Sequence, residues 1–330
     1  MNDWLPLYFV AAMALAMLLY VVLDGFDLGV GILLRHAEAD DKDRMIASIG
    51  PFWDANETWL VLGIGILLIA FPLAHGVILG ALYLPVAAML TGLILRGVAF
   101  DFRAKAKVEH KARWDQAFWA GSLLAAAAQG FMIGHYITGF RADAGGYGFA
   151  ALIALCLPAG YALLGATWML MKADLALQAP AARWARRALW LTGLGIVAVS
   201  LATPWVSARI FDKWFGGAQL LWLLPIPLLS AALWRLAERD LHALTRGLAR
   251  PCWRPFAAAV GLFVLAFAGL AYSLFPYLLV DRLTLWEAAS ARDSLWVIFW
   301  GTAVTLPAIL GYTIYSYRVF RGRAHDLSYD

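Results

Sequence analysis

Four carboxyl side chains lie inside or at the edge of the first two long apolar stretches of this sequence: Asp24, Asp27, Asp54 and Glu57. An ionisable group at the centre of a membrane helix costs roughly 3 kcal/mol on insertion scales, so it is kept mainly where a partner, water or a proton relieves it. Acids of this kind form proton relays and ion paths. They therefore predict a proton or cation path. The alternative is that Asp24 and Asp27 only accept hydrogen bonds and lock helix packing.

The depths of the four acids suggest an order of transfer. At a rise of about 1.5 Å per residue, Asp24 lies about 16 Å and Asp27 about 12 Å before Arg35, where the first helix is expected to end. Asp54 is expected near the surface, and Glu57 one turn deeper on a similar face. Protons would then enter at Asp54 and pass to Asp27 and Asp24. Asp54 could instead be a capping acid at a helix N-terminus.

Arg96 is the one basic residue inside a predicted span, at a depth comparable with that of the acids. It is the predicted counter-ion, although its side chain could also extend to the membrane surface. Gly25 and Gly29 form a small-xxx-small pattern that lets another helix backbone approach closely. The acids beside these glycines are therefore expected to face protein rather than lipid.

The composition fixes the class of protein. Hydrophobic residues make up 63% of 330 positions, charged residues 15%, and the mean hydropathy is +0.72. An ordinary soluble domain carries a more polar surface than this. The sequence therefore predicts an all-α polytopic membrane protein with one transmembrane domain over residues 1–330. Its motifs lie in a first bundle at about 1–138, and the second half, about 139–330, is plainer. The loop charges are of mixed sign and give no nucleic-acid footprint.

Hydropathy predicts nine membrane helices, because windows of about 20 apolar residues are needed to cross the bilayer. The predicted spans are 5–34, 52–74, 77–100, 116–138, 149–170, 188–205, 219–234, 256–279 and 295–317.

Two cysteines far apart in sequence indicate neither a disulfide framework nor a thiolate metal site.

The connections alternate in charge. Segments 35–50, 101–115, 171–187, 235–255 and the tail from 318 contain 20 of the 26 Lys and Arg residues, and the opposite segments contain five. The positive-inside rule makes the basic segments cytoplasmic. The N-terminus is then periplasmic and the C-terminus cytoplasmic, which agrees with an odd number of helices. The first span lacks a basic n-region and is expected to be retained.

Three motifs carry a family resemblance. They are Asp24-Gly-Phe-Asp-Leu-Gly-Val-Gly31, Trp53-Asp-Ala-Asn-Glu-Thr-Trp59 and Arg96-Gly-Val-Ala-Phe-Asp-Phe-Arg103; weaker matches follow at Phe275-Pro276 and Leu283-Thr-Leu-Trp-Glu-Ala-Ala-Ser290. With these motifs the sequence resembles subunit II of the cytochrome bd-type quinol oxidases of bacteria.

The resemblance implies two four-helix bundles plus one peripheral helix, in the bacterial inner membrane. It implies a one-to-one pair with a haem-carrying subunit I, which would hold haem b, haem d and the quinol-oxidising loop. Asp27 and Asp54 match acids proposed for a cytoplasmic proton route at the subunit interface. A structural quinone or lipid and small one-helix subunits are compatible with this interpretation. Ala55 and Gly97 depart from the family pattern, but neither change removes a titrating group.

Histidines give a second interpretation of the chemistry. His75 and His135 both lie toward the predicted periplasmic side, and a pair of histidines could ligate a haem b. No Glu-x-x-His pair or CxxCH motif accompanies them. Interfacial hydrogen bonding is therefore the preferred role, and no cofactor or metal is expected on this chain.

Three functions follow from these features. The first is a non-haem subunit of a quinol:oxygen oxidoreductase, in which the acids deliver cytoplasmic protons for the reduction of oxygen to water. The second is an independent proton- or cation-coupled transporter, although Pro85 and Pro158 do not form the matched pair of broken helices typical of such proteins. The third is a structural scaffold that tolerates acid-to-amide changes.

Overall fold

The computed structural model describes residues 4–172, 175–217 and 219–322. Predictions that concern residues 1–3 and 323–330, including the placement of the two termini, lie outside the described residues. The helices are α1 (Trp4–Leu33), α2 (Ala39–Ile49), α3 (Trp53–Ala70), α4 (Pro72–Ala81), α5 (Tyr83–Lys105), α6 (Val108–Ile137), α7 (Ala144–Lys172), α8 (Leu175–Val206), α9 (Ala208–Phe215), α10 (Gln219–Leu223), α11 (Pro225–Thr245), α12 (Trp253–Leu274) and α13 (Arg292–Val319). A 3-10 turn, Leu34–His36, follows α1.

Nine helices in the described part of the chain are long and apolar enough to cross a membrane, as predicted: α1, α3, α5, α6, α7, α8, α10 with α11, α12 and α13. The predicted boundaries of the third span are wrong. Its first residues belong to the short helix α4, which begins at Pro72, and the spanning helix begins at Tyr83. Proline is well tolerated at the first turn of a helix, where no backbone N–H is required.

The described residues form an all-α protein, as predicted, with one short sheet besides the helices. The predicted span 256–279 ends at Leu274, and a two-stranded antiparallel sheet follows, formed by β1 (Tyr277–Leu279) and β2 (Leu283–Thr284). Ser290, just after this sheet, donates its backbone N–H to the carbonyl oxygen of Ala70 at 2.8 Å. The hairpin segment thereby closes over the end of α3.

Helix α1 is central, because it contacts α3, α6 and α7 along its length. Helix α5 packs on α6, α7 on α8, and α11 on α12 and α8, whereas α13 makes a small contact with α1 and α3. One continuous cluster of buried apolar side chains joins the two halves of the chain and includes Phe26, Phe118, Trp168 and Leu262. We call the end at which α1 and α5 finish and α3 and α6 begin, with connections 34–52 and 106–107, the basic end.

Glycines let the helix backbones touch at two places. A Cβ atom at Gly29 would lie 1.8 Å from the carbonyl oxygen of Tyr161 in α7, and one at Gly25 would lie 2.9 Å from the Tyr161 ring. Similarly, a Cβ atom at Gly92 in α5 would lie 2.7 Å from the carbonyl oxygen of Gly121 in α6. Larger residues would force these helices apart, so the glycines fix where α1 and α5 lie.

Candidate functional site

Four ionisable residues from three helices meet in the interior. Asp24 and Asp27 come from α1, Glu57 from α3 and Arg96 from α5, and we call these four residues the inner acid cluster. Both aspartates are 0% exposed and Arg96 is 1% exposed, whereas the Glu57 side chain keeps 27%. Three carboxyl groups therefore share one guanidinium group. Buried charges are tolerated when they are paired, so this excess of acid is the unusual feature.

Arg96 binds two of the three acids through a single nitrogen. Its Nη2 donates to Asp24 Oδ1 at 2.6 Å and also to Glu57 Oε1. Arg96 Nε and Nη1 and Asp24 Oδ2 are buried and have no hydrogen-bond partner among the described residues. The pairing with Asp24 and Glu57 agrees with the predicted role of counter-ion, and Arg96 does not extend to the surface.

Asp27 has different neighbours. Its Oδ2 accepts a hydrogen bond from Asn56 Nδ2 at 2.8 Å, and its Oδ1 is without a partner in the described part of the chain. Asn56 Oδ1 in turn accepts from the Tyr317 hydroxyl of α13 at 3.0 Å. Asp27 is thus fully buried and held by an amide instead of a cation.

Sequence reasoning missed both of these polar partners. Asn56 lies within the motif Trp53–Trp59 and next to Glu57, so its position beside two acids was a signal that could have been used. Tyr317 carries no such signal, because it lies 261 positions further along the chain and belongs to a helix rich in aromatic residues.

Asp24 lies at one end of a chain of buried polar groups. Tyr161 donates to Gln129 Oε1 at 2.6 Å, and Gln129 Nε2 donates to the Tyr20 hydroxyl oxygen at 2.8 Å. Tyr20 lies one helical turn before Asp24, on the same face of α1. Because its oxygen accepts from Gln129, the Tyr20 hydroxyl hydrogen is free to point toward Asp24.

Asp54 lies apart from the inner acid cluster. It is exposed in the first turn of α3, and no hydrogen bond or ion pair of Asp54 is found among the described residues. The residue at the N-cap of α3 is Phe52, and no side chain caps this helix. Asp54 acts on Glu57 through its charge only. The predicted proton transfer from Asp54 to Asp27 is therefore not supported by a contact between the two side chains.

A second charged group lies nearer the basic end and we call it the outer charged network. Arg103 of α5 donates from Nε to Asp115 of α6 and from Nη1 to Asp43 of α2, the latter at 2.5 Å. Lys42 lies 3.3 Å from Asp115, and Lys111 lies 3.2 Å from Asp43. Partial burial tends to raise the pKa of Asp43, but hydrogen bonds and positive charge from Arg103 and Lys111 outweigh it and hold that pKa below its usual value.

The two histidines proposed as haem ligands lie on different helices, His75 on α4 and His135 on α6. His135 is buried, and its ring stacks on Tyr147 at 5.4 Å between ring centroids and also contacts Phe131 and Phe140. In the described part of the chain, the two histidines do not contact each other. Because aromatic rings pack against His135, its surroundings do not favour ligation of a haem.

Metal binding finds no support either. Within residues 4–172, 175–217 and 219–322, no group of three or more His, Cys, Asp or Glu side chains could hold a metal ion.

Comparison with known proteins places the chain in a family. Residues 5–320 match the family model described as cytochrome bd terminal oxidase subunit II. The chain is 27% identical to cytochrome bd-I ubiquinol oxidase subunit 2 of Escherichia coli K12, over 98% of this chain and 96% of the relative. It is 30% identical to cytochrome bd ubiquinol oxidase subunit 2 of Bacillus subtilis 168, over 92% of each.

A solved structure has the same fold. The bd oxidase of Geobacillus thermodenitrificans superposes with a TM-score of 0.79 at 18% identity, over 96% of this chain and 99% of the matched chain. The family model matches nearly the whole chain, and the two relatives match over more than nine-tenths of their own lengths. The chain therefore belongs to the cytochrome bd terminal oxidase subunit II family and is a subunit of a quinol oxidase complex.

Proposed function

We propose that this chain is the non-haem subunit of a bacterial cytochrome bd-type quinol:oxygen oxidoreductase, and that it lines a proton path used when oxygen is reduced to water. Asp27 is the proton-carrying group of this path. The observation that supports this role is that Asp27 is fully buried, has one oxygen without a hydrogen-bond partner among the described residues and touches no cation.

The other members of the inner acid cluster set the local charge. Asp24 and Glu57 share Arg96, so protonating either acid would weaken an ion pair. Protonating Asp27 breaks no ion pair and supplies a donor in a site that has an excess of acceptors. Asp27 is therefore the acid that can gain and lose a proton at the smallest structural cost.

Asp54 admits protons to this path from the basic end. It is exposed and precedes Glu57 by three positions, nearly one helical turn. Since no side-chain contact joins Asp54 to Asp27 in the described residues, ordered water must complete the route, as is usual for polar groups beyond direct reach.

A haem-bearing subunit I is the partner of this chain, in a one-to-one heterodimer, and this chain supports its assembly. The haem b and haem d of that partner supply electron transfer and oxygen reduction. On this chain the residues hold and move protons. Small one-helix subunits, and a structural quinone or lipid, are further components of the complex. Quinol and oxygen reach this chain only through the complex.

The orientation follows from the charges. The basic end faces the cytoplasm by the positive-inside rule, which makes the N-terminus periplasmic and the C-terminus cytoplasmic. The helices form two four-helix bundles, α1, α3, α5 and α6, then α7, α8, α11 and α12, with α13 at the periphery. The contacts of α5 with α6, of α7 with α8 and of α11 with α12 fall within these bundles, and α7 joins the two bundles through α1 and α6. The complex lies in the bacterial inner membrane.

Membership of the oxidase family favours this function over the independent transporter. A pure scaffold remains the competing interpretation of the acids, because buried carboxylates can serve packing alone.

The test is to express the chain with its subunit I and compare Asp27→Asn with the intact complex. The neutral amide keeps the shape but cannot carry the proton. Quinol-dependent oxygen uptake should fall at least tenfold, while the reduced-minus-oxidised haem spectrum stays unchanged. Asp212→Asn is the matched control, since Asp212 is exposed on α9, away from the inner acid cluster.

Unchanged oxygen uptake in Asp27→Asn would remove Asp27 from the path and favour the scaffold. Loss of the haem spectrum together with uptake would assign Asp27 to assembly, which also contradicts the proposed role. Full activity in Asp212→Asn is required for either conclusion.

A further inference from the structure

The last helix touches the inner acid cluster through one side chain. In the membrane-length window of α13 no residue is buried, and its contact with α1 and α3 is small. Yet near its end the Tyr317 hydroxyl donates to Asn56 Oδ1, and Asn56 Nδ2 donates to Asp27 Oδ2. A helix that lies at the edge of the bundle thus reaches a fully buried acid through one amide.

The tyrosine decides which way the amide points. An asparagine presents a carbonyl oxygen on one side and an NH₂ group on the other, and the two are close in size. Because Tyr317 donates to the oxygen, the NH₂ group faces Asp27 at 2.8 Å and the carbonyl oxygen of Leu23 at 3.4 Å. Both N–H bonds are then used, and the amide is held in one orientation.

The end of α13 is itself fixed in place. The Tyr317 ring stacks on Phe52 with 4.4 Å between ring centroids, and Phe320 packs edge-on against the same ring at 5.9 Å. Lys172 Nζ donates to the main-chain oxygens of Phe320 and Gly322, the latter at 3.1 Å. These contacts hold the tyrosine hydroxyl over Asn56, at the basic end of the molecule.

We infer that Tyr317 is a positioning residue for Asp27: it acts through Asn56 to keep an N–H donor on the Asp27 carboxylate, and so tunes the pH range in which oxygen uptake proceeds. This inference rests on the proposed function, in which Asp27 carries protons. It assigns a part in the proton chemistry to the peripheral helix α13.

Other charged groups also act on Asp27, and they stay in place when Tyr317 is changed. Asp24 lies on the same helix, and Glu57 and Arg96 act from α3 and α5. The hydroxyl group of Tyr317, from α13, reaches Asp27 through the amide of Asn56. Removing this hydroxyl group therefore changes one hydrogen bond, while the charged groups around Asp27 stay the same.

The experiment replaces Tyr317 by Phe in the complex with subunit I. The ring and its stacking on Phe52 remain, and only the hydroxyl group is lost. Without the hydroxyl group, the Asn56 amide can turn its oxygen toward Asp27, which favours the protonated form of that acid. The pH profile of oxygen uptake should therefore move to higher pH by roughly one unit or less, because the free energy of one hydrogen bond corresponds to a shift of about that size. Tyr315→Phe is the matched control, since Tyr315 is on the same helix and 66% exposed.

An infrared difference spectrum gives a second readout that does not depend on turnover. The carboxyl band that disappears in Asp27→Asn is the band of Asp27, and Tyr317→Phe should shift it while Tyr315→Phe should not. Asn56→Leu removes the amide itself and should shift the same band. Because Tyr317 acts through Asn56, adding Tyr317→Phe to Asn56→Leu should cause no further shift, and a further shift would contradict the inference.

The outcomes separate the inference from the proposed function. If Tyr317→Phe matches Tyr315→Phe in both the pH profile and the band, the inference is overturned, whereas slow uptake in Asp27→Asn still supports the proton path. If Asp27→Asn has full activity, the proposed function fails and with it the expected change in pH profile; the carboxyl band then decides whether Tyr317 positions Asp27.

Discussion

Two arginines of α5, Arg96 and Arg103, each hold two acids, and their surroundings differ. They are seven residues apart, two turns of helix, and so lie on nearly the same face. In the inner acid cluster Arg96 pairs with two of the three carboxyl groups, and several buried polar atoms have no partner among the described residues. In the outer charged network two carboxyl groups meet three cations, because Lys42 and Lys111 accompany Arg103.

The difference distinguishes an acid-rich group from one in which every acid meets a base. A group of charges selected for holding helices together gains from matching every acid with a base, as in the outer charged network. The inner acid cluster instead keeps a surplus of acid in a region where unpaired charge is expensive. Under the proposed function, this surplus lets Asp27 gain and lose a proton without breaking an ion pair.

The largest effect is expected on removing the inner arginine. Arg96→Met leaves Asp24 and Glu57 buried without their cation, and breaking a buried ion pair typically costs about 3–5 kcal/mol. We expect a marked fall in the yield and in the unfolding temperature of the complex, measured by thermal denaturation in detergent. Adding Asp24→Asn and Glu57→Gln to Arg96→Met should restore much of the loss. A single variant as stable as the parent would show that Arg96 is not needed to compensate these acids.

A smaller effect is expected on removing the outer arginine. In Arg103→Met, Lys42 still faces Asp115 and Lys111 still faces Asp43, so neither acid loses its last cation. The cost should be about 1.5–3 kcal/mol, the range of a hydrogen bond to a charged group. The same denaturation measurement compares the two variants directly. Equal losses for Arg96→Met and Arg103→Met would contradict the distinction drawn between the two sites.

The smallest effect concerns pH. Because the pKa of Asp43 in the folded protein is held below its unfolded value of about 3.9, its contribution to stability is fully present above that value. The contribution is lost as pH falls through the lower, folded-state pKa. Unfolding temperatures of the intact protein and of Asp43→Asn should therefore differ slightly at neutral pH and converge below about pH 4. A difference that stays constant across this range would show that Asp43 does not titrate with folding.

Much of the fold could be predicted from hydropathy, because a span is a local property of about 20 residues. Nine membrane-length helices and the depth of Arg96 followed from such counting, and the helices are confirmed for the described residues. The short helix α4 and the hairpin β1–β2 could not be separated from the spans, since they are apolar as well and only a few residues long. For α4, the local signal of a new helix was Pro72 at its first position.

The details of the site were beyond sequence counting for a different reason. Depth along a helix follows from residue number, but the direction of a side chain relative to other helices depends on how the helices pack. Depth alone therefore suggested Arg96 as partner of the acids without saying which ones. It also suggested an order of proton transfer from Asp54 to Asp27 without showing whether the two side chains are in contact. The pairing of Arg96 with Glu57 and the link from Tyr317 to Asn56 depend on tertiary packing.

The link between Tyr317 and Asn56 also has a consequence for the time course of synthesis. Asn56 and Tyr317 are separated by 261 positions, which a ribosome making about 5–20 residues per second covers in roughly 10–50 s. During that interval Asp27 and Asn56 are already made, while the tyrosine that orients the amide does not yet exist. The proposed proton site thus begins with the first helix and is completed by α13, so that a chain interrupted before α13 would insert Asp27 and Asn56 without the tyrosine that contacts the amide.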